Sequence, residues 1–226
     1  MPTLSFCSPK GGCGKTTACI LTGLEAARSG MSVCILDTDP KLWLSQWAKA
    51  KPLPENLKVK QVEQRQLTEA ALAAADHYDY VLVDVEGSDD ASLIDAVLVS
   101  DLVIVPSKVS RLDALAAVQV LKQVRQKSLV LKREIAARVL LSQTEAGAVE
   151  HRITGEIKSI LQQANVPVFA THLASRPIFQ AMTSLGGDYL DLPKRFQGSS
   201  PKTAHANVAA LAQEVSATLS EILQAA

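Results

Sequence analysis

The chain has 226 residues, of which 47% are hydrophobic and 20% are charged; this balance excludes extensive disorder and allows one domain with a sizeable core. The chain has 23 basic residues (lysine plus arginine) and 23 acidic residues (aspartate plus glutamate). This balance excludes a uniformly basic protein, so any binding of nucleic acid must use a local basic patch. The four cysteines lack metal-ligand spacing and are typical of small apolar residues in a reduced, cytosolic protein.

Short apolar runs alternate with longer helical patterns along almost the whole chain. We predict strands at Thr3–Cys7, Ser32–Leu36, Tyr80–Val83, Leu102–Val105, Ala137–Leu141 and Val166–Ala170. We predict helices around Thr17–Ser29, Leu67–Ala75, Ala91–Val99, Arg111–Lys127, Glu150–Ala164, Pro177–Ser184 and Thr203–Leu223. Several strands are apolar without alternation, as in parallel strands that are covered on both faces. The sequence therefore predicts a three-layer α/β fold, with a mostly parallel sheet flanked by helices, in one domain spanning residues 1–226.

The first predicted strand is followed by a glycine-rich loop that is typical of phosphate binding. Its predicted ligand-binding residues are Lys10, Gly11, Gly12, Cys13, Gly14, Lys15, Thr16 and Thr17. The glycines allow several backbone N–H groups to converge on phosphate oxygens, and the next helix presents its positive end. Lys15 is expected to neutralise the outer phosphates and Thr16 to provide a hydroxyl to Mg²⁺.

Two later strands end in carboxylates, at Asp37-Thr38-Asp39-Pro40-Lys41 and at Asp84. Such carboxylates, at the carboxyl edge of a parallel sheet, can hold Mg²⁺ through water or orient an attacking water. An alternative for the first segment is a capped turn that enters a helix.

The Lys-Gly-Gly-x-Gly-Lys-Thr-Thr pattern of residues 10–17 resembles the deviant Walker A box of the ParA/MinD ATPases. This resemblance implies a P-loop NTPase fold, the cofactors ATP and Mg²⁺, and a Lys10 that reaches the ATP of a partner subunit. It also implies that Asp37 assists the magnesium shell, that Asp39 positions the nucleophilic water, and that Asp84 is the Walker B acid. Chemistry alone equally allows Lys10 to serve only its own subunit.

The chain departs from the family pattern at two places. Lys41 stands where glutamine is usual, and Val85-Glu86-Gly87 replaces the common Asp-Thr-Pro. Both departures bear on the rate of hydrolysis. Arg176 lies in a segment similar to the family's late loop, which implies a contact with nucleotide or with a partner subunit; a surface salt bridge is an equal alternative.

The ends of the chain favour one branch of the family. The segment Thr203–Ala226 contains no lysine or arginine, which argues against a membrane-binding amphipathic helix, and no apolar run approaches the roughly 20 residues that span a bilayer. Since the loop begins almost at the N-terminus, we expect neither a signal peptide nor an additional DNA-binding domain. A small, single-domain ParA type remains, and Arg176–Met182 with Gly186-Gly187 resembles its conjugative or T-DNA-transfer (VirC-type) branch.

The resemblance implies a cytoplasmic, nucleoid-associated ATPase that forms a homodimer with ATP and binds DNA without sequence preference. A ParB-like or cargo adaptor protein would stimulate hydrolysis and release. Two basic clusters are candidates for DNA contact: Lys194, Arg195 and Lys202, and Lys122, Arg125, Lys127, Lys132 and Arg133. A solvated helix face explains each cluster equally well. Two alternatives stay open: a nucleotide-dependent adaptor with little turnover, and a metabolic phosphate-loop enzyme.

Overall fold

The computed structural model of the chain describes residues 1–85, 90–145, 152–197 and 201–225. The strands are β1 (Thr3–Phe6), β2 (Val33–Asp37), β3 (Leu57–Gln61), β4 (Tyr80–Asp84), β5 (Leu102–Lys108), β6 (Ala136–Thr144) and β7 (Leu173–Ala174). The helices are α1 (Lys15–Arg28), α2 (Trp43–Ala50), α3 (Leu67–Ala75), α4 (Asp90–Val99), α5 (Arg111–Leu131), α6 (Arg152–Gln163), α7 (Pro177–Leu185), α8 (Lys194–Gln197) and α9 (Pro201–Ala225).

The strands form one parallel sheet in the order β3-β2-β4-β1-β5-β6-β7. Strand β1 lies between β4 and β5, where the direction of winding reverses. Its last residue, Phe6, is in register with Asp84, and Asp84 is in register with Asp37 on the other side. The carboxyl ends of β1, β2 and β4 therefore meet at one edge, which is where open parallel sheets bind ligands.

Helices cover both faces of the sheet. On one face α1, α2, α7 and α9 pack against a core that includes Leu4, Phe6 and Ile104. On the other face α3, α4, α5 and α6 pack against Val83, Val103 and neighbouring residues. Both faces of the central strands are buried, and most of their side chains are apolar in both directions. No helix in the described ranges combines the length and the hydropathy that a membrane crossing requires.

The predicted α/β class and layered architecture are confirmed. Strand β3 was not predicted, because its sequence Leu-Lys-Val-Lys-Gln alternates apolar and charged residues. It lies at the edge of the sheet, where its exposed lysines limit pairing with other chains. Helix α2 also escaped prediction, since it is short and its N-cap, Leu42, is not a capping residue.

The predicted strand Val166–Ala170 is wrong. Only Val168 makes a bridge to β6, opposite Val139, and the pairing resumes at β7. Pro167 has no N–H for a ladder, and the N–H groups of Ala170 and Thr171 donate instead to the carboxylate of Glu214, at 2.7 and 2.8 Å. The chain is therefore drawn from the sheet towards α9.

The turn after α7 packs directly on α2. Trp47 Nε1 donates to the carbonyl oxygen of Gly187 at 3.0 Å. Gly186 has φ of +78°, and a β-carbon added there would lie 2.4 Å from the Ala50 β-carbon and 2.9 Å from the Trp47 carbonyl oxygen. Glycine is required at position 186 for its backbone conformation and for the close approach of α2.

Gly186→Ala is expected to destabilise the fold more than Gly30→Ala. Both glycines have positive φ, but a β-carbon on Gly30 would meet nothing within 4 Å. A positive φ costs an alanine about 1–3 kcal/mol, and overpacking against α2 adds about 1–3 kcal/mol at position 186 alone. Urea unfolding of both variants measures the difference, and equal losses of unfolding free energy would show that α2 moves aside without cost.

Candidate functional site

The loop between β1 and α1 has the backbone of an anion-binding site. Gly12 and Gly14 have φ of +71° and +91°, in the region that favours glycine. Gly14 is the N-cap of α1, and its carbonyl accepts the Ala18 N–H at 2.9 Å. The first N–H groups of a helix have no acceptor within it, and they carry the positive end of the helix dipole. The loop and α1 can therefore hold phosphate oxygens.

Strand β6 supports this loop from one side. Ser142 Oγ donates to the Cys13 carbonyl at 2.6 Å, and Gln143 Nε2 donates to the Gly12 carbonyl at 2.7 Å. Gln143 has φ of +54°, and the β6–β7 pairing shifts register between Ser142 and Thr144. Such an irregularity turns a strand side chain towards a new target. Sequence reasoning missed both residues, because no local pattern reports a contact across 129 positions.

The start of α1 is joined to the end of β4. Thr16 Oγ1 donates to Asp84 Oδ2 at 2.7 Å. Asp84 is 2% exposed, and its Oδ1 has no hydrogen-bond partner within the described ranges. Burial raises the pKa of the Asp84 carboxyl to about 7, against the opposing effect of the Thr16 hydroxyl, while the Asp37 charge adds to the rise. Lys15, the first residue of α1, is close enough for its charge to favour ionised Asp84.

These donors fit Mg²⁺. The Thr16 hydroxyl and the orphaned, buried Asp84 oxygen are hard ligands, and Mg²⁺ keeps several waters besides one or two protein groups and substrate phosphates. In the described ranges, there is no group of three or more His, Cys, Asp or Glu side chains that could hold a metal ion. The site therefore suits an ion that arrives with a phosphate ligand better than an all-protein cage.

Asp37 and Asp39 organise the start of α2. Asp37 is fully buried; its Oδ2 accepts the N–H and the hydroxyl of Ser45, at 2.8 and 2.6 Å, and its Oδ1 accepts the Asp39 N–H at 3.2 Å. Asp39 Oδ1 accepts the Lys41 N–H at 2.8 Å. The segment is thus the capped turn that the sequence allowed. The pairing of β2 with β4 places Asp37 beside Asp84, and the roles of Asp37 at the metal and of Asp39 at water stay predictions.

Lys10 pairs with a residue of its own subunit. Its Nζ lies 3.3 Å from Oδ1 of Asp113, and the two side chains are 40% and 16% exposed. Asp113 belongs to the first turn of α5, where its N–H donates to the N-cap Ser110 at 3.1 Å and its carboxylate contacts the Ser110 hydroxyl. The sequence placed Lys10 at the loop but gave no sign of this partner.

A cavity of about 150 Å³ adjoins the loop. Thr17, Gln143, Arg176 and Gln180 contribute to its lining. Arg176 Nε is buried and makes no hydrogen bond to any described residue. The structure thus places Arg176 beside the phosphate loop and leaves its Nε a donor for a ligand, while its contact with nucleotide stays a prediction.

Other predicted residues have different positions. Cys13 is buried, and its thiol donates to the Lys10 carbonyl at 3.3 Å, which makes it part of the loop's packing. Arg133 donates to the carbonyls of Val97, Leu98 and Ser100 at the end of α4, so it is structural rather than free for DNA. Glu86 lies outside the described residues.

Metal-free Asp84→Asn protein is expected to gain stability relative to wild type as the pH rises. Because the pKa of Asp84 is raised from 3.8 to about 7 by folding, the folded state binds the extra proton, and wild-type stability falls between these two values. Asparagine keeps an acceptor for Thr16 and has no such pH dependence.

Urea unfolding at about pH 5 and about pH 8, with EDTA present, measures the difference between the variant and the wild type. An Asp84→Asn effect that is the same at both pH values would contradict the raised pKa.

Comparisons with known proteins agree with the geometry. The family model described as VirC1 protein matches residues 1–226. The chain is 30% identical over 234 residues to protein ParA of Rhizobium radiobacter, which covers 99% of this chain and 100% of that protein.

Two solved structures share the fold. Apo McdA of Cyanothece has a TM-score of 0.72 at 13% identity and covers 95% of this chain and 99% of its own. The septum site-determining protein MinD of Pyrococcus horikoshii, complexed with Mg-ADP, has a TM-score of 0.69 at 17% identity, with 95% of each chain covered. The predicted family resemblance is confirmed: the chain belongs to the VirC1 protein family, is similar to protein ParA over its whole length, and shares the P-loop fold of MinD.

Proposed function

We propose that this chain is an ATP-dependent switch that positions or segregates DNA or another cargo. The observation that carries the proposal is the contact between Thr16 and the buried Asp84, at the mouth of a loop built to hold phosphates. ATP with Mg²⁺ is the ligand that needs all of these groups together.

Each residue has a defined part in nucleotide hydrolysis. Lys15 neutralises charge that develops on the outer phosphates. Thr16 and Asp84 would hold Mg²⁺ with the assistance of Asp37, and the ion would supply positive charge to neutralise the phosphates. Asp39 orients the attacking water with its carboxylate. The cavity lined by Thr17, Arg176 and Gln180 receives the nucleobase.

The ATP-bound protein closes into a homodimer in which Lys10 reaches the partner's nucleotide. The closed dimer binds DNA through exposed lysines and arginines, and a ParB-like or cargo adaptor protein triggers hydrolysis and release. The exposed candidates for phosphate contacts are Lys122, Arg125, Lys132, Lys194, Arg195 and Lys202. The protein is then cytoplasmic and nucleoid-associated, with an affinity for DNA that falls steeply with salt.

A second function is favoured by the match to the VirC1 family over the whole chain. In this function the protein recruits DNA or a protein cargo to conjugation or secretion machinery, and turnover is negligible. Lys41, at the position where the family pattern that the sequence resembles has glutamine, donates its N–H to Asp39 and is compatible with slow hydrolysis.

Lys15→Ala is expected to lower DNA-stimulated ATP hydrolysis by about 100-fold, because it removes a fixed charge at the transferring phosphate. Phosphate release is measured with and without DNA, beside DNA binding in ATP and in ADP. Lys49→Ala, on the exposed side of α2, is the matched control. If wild type binds DNA in an ATP-dependent way but does not hydrolyse ATP, the adaptor is selected. If wild type hydrolyses ATP and Lys15→Ala hydrolyses it at the same rate, the switch is removed.

Asp113→Asn is expected to strengthen ATP-dependent dimerisation, because it frees Lys10 for the partner subunit. A partly exposed ion pair contributes up to about 1 kcal/mol and is lost in both subunits, so the dimer dissociation constant should fall up to about 30-fold. Lys10→Ala should abolish ATP-dependent dimerisation in both backgrounds. Sedimentation velocity with ATP and with ADP measures these changes. ATP-dependent dimers of Lys10→Ala would contradict a lysine acting across the interface.

A further inference from the structure

Strand β5 runs past the end of β1 and alongside the phosphate loop. The last residue of β1, Phe6, is in register with Ile104, while β5 continues to Lys108. Four further residues span about 13 Å in a parallel strand. Pro106, which has no N–H, lies in this extension beyond the pairing with β1. The extension therefore ends at the level of the loop.

Lys108 points towards the loop. Side chains two and four positions apart in a strand share a face, so Lys108 shares the face of Ile104, which packs with α1. A β-carbon on Gly12 would lie 3.8 Å from Lys108 Nζ. The backbone at Lys108 is fixed by pairing with Ser142 and by its carbonyl, which accepts the Ser110 N–H at 2.8 Å. The ammonium thus stands directly beside the glycine turn.

The charge of Lys108 is not matched by the surrounding protein. Lys10 has Asp113 at 3.3 Å, whereas no carboxylate in the described ranges comes within ion-pair distance of Lys108. The side chain is half-buried. A cation held next to a phosphate-binding loop, without a protein counterion, attracts an anion in that loop.

We propose that Lys108 is a phosphate-binding residue of the nucleotide site, a third cation besides Lys10 and Lys15 and one supplied from the same subunit. This inference rests on the proposed nucleotide binding. Lys108, at the end of β5, neutralises phosphate charge within its own subunit. One subunit can therefore hold nucleotide while its Lys10 stays paired with Asp113. Nucleotide binding then precedes dimerisation and does not depend on a second subunit.

The test is nucleotide affinity in Lys108→Met, which keeps the length of the side chain and removes its charge. Calorimetry with Mg-ADP and with Mg-ATP is expected to show binding about tenfold weaker or more, the effect of losing one charge-assisted bond. The slope of affinity against salt concentration should fall as well, which a purely structural role would not produce. Lys108→Arg should restore part of the affinity.

Lys49→Met, which removes an exposed lysine of α2, is the matched control and should bind like wild type. Thermal unfolding of each variant establishes that it is folded. Unchanged affinity and salt slope in Lys108→Met, with wild type binding and Lys15→Ala not binding, overturn the role of Lys108 alone. Absence of nucleotide binding by wild type overturns the proposed function and this inference together.

Discussion

The contact between Thr16 and Asp84 joins the phosphate loop to the strand next to β1, and the site is built around it. Asp84 is buried at the end of β4, where a charge is costly, and within the described ranges only Thr16 donates a hydrogen bond to its carboxylate. The second carboxylate oxygen has no partner among the described residues, which suits an acid that is completed by a metal ion rather than by the protein. Burying this charge lowers the stability of the folded protein. A metal ion that compensates the charge would therefore raise that stability.

The loop is held from both sides of β1. On one side Asp84 fixes Thr16, and on the other β5 and β6 contribute Lys108, Ser142 and Gln143. A parallel sheet brings these strand ends to one edge, and the longer β5 and β6 extend beyond β1 to reach the loop. The anion-binding turn is therefore set in advance by packing, and little of it has to be ordered by a ligand.

Charge around the loop is divided between two kinds of lysine. Lys10 is neutralised by Asp113 in its own subunit, whereas Lys108 faces the loop without a carboxylate in the described part of the chain. If Lys10 acts across a dimer, as in the relatives that the sequence resembles, it must first leave Asp113. The cost is small because the ion pair is partly exposed, so the pair can act as a reversible restraint.

The sequence by itself determined the loop, the roles open to Lys15, Thr16 and Asp84, and the order of most strands and helices. These depend on local patterns: glycines that allow positive φ, and apolar runs that end in an acid. It did not determine β3, α2 or the bend at Pro167, since edge pairing and contacts with Glu214 decide these. Only the tertiary structure brought Asp113 to Lys10, and Ser142, Gln143 and Lys108 to the loop. These contacts join residues distant in the chain, and a local pattern carries no information about which strand ends the packing of the sheet will bring together.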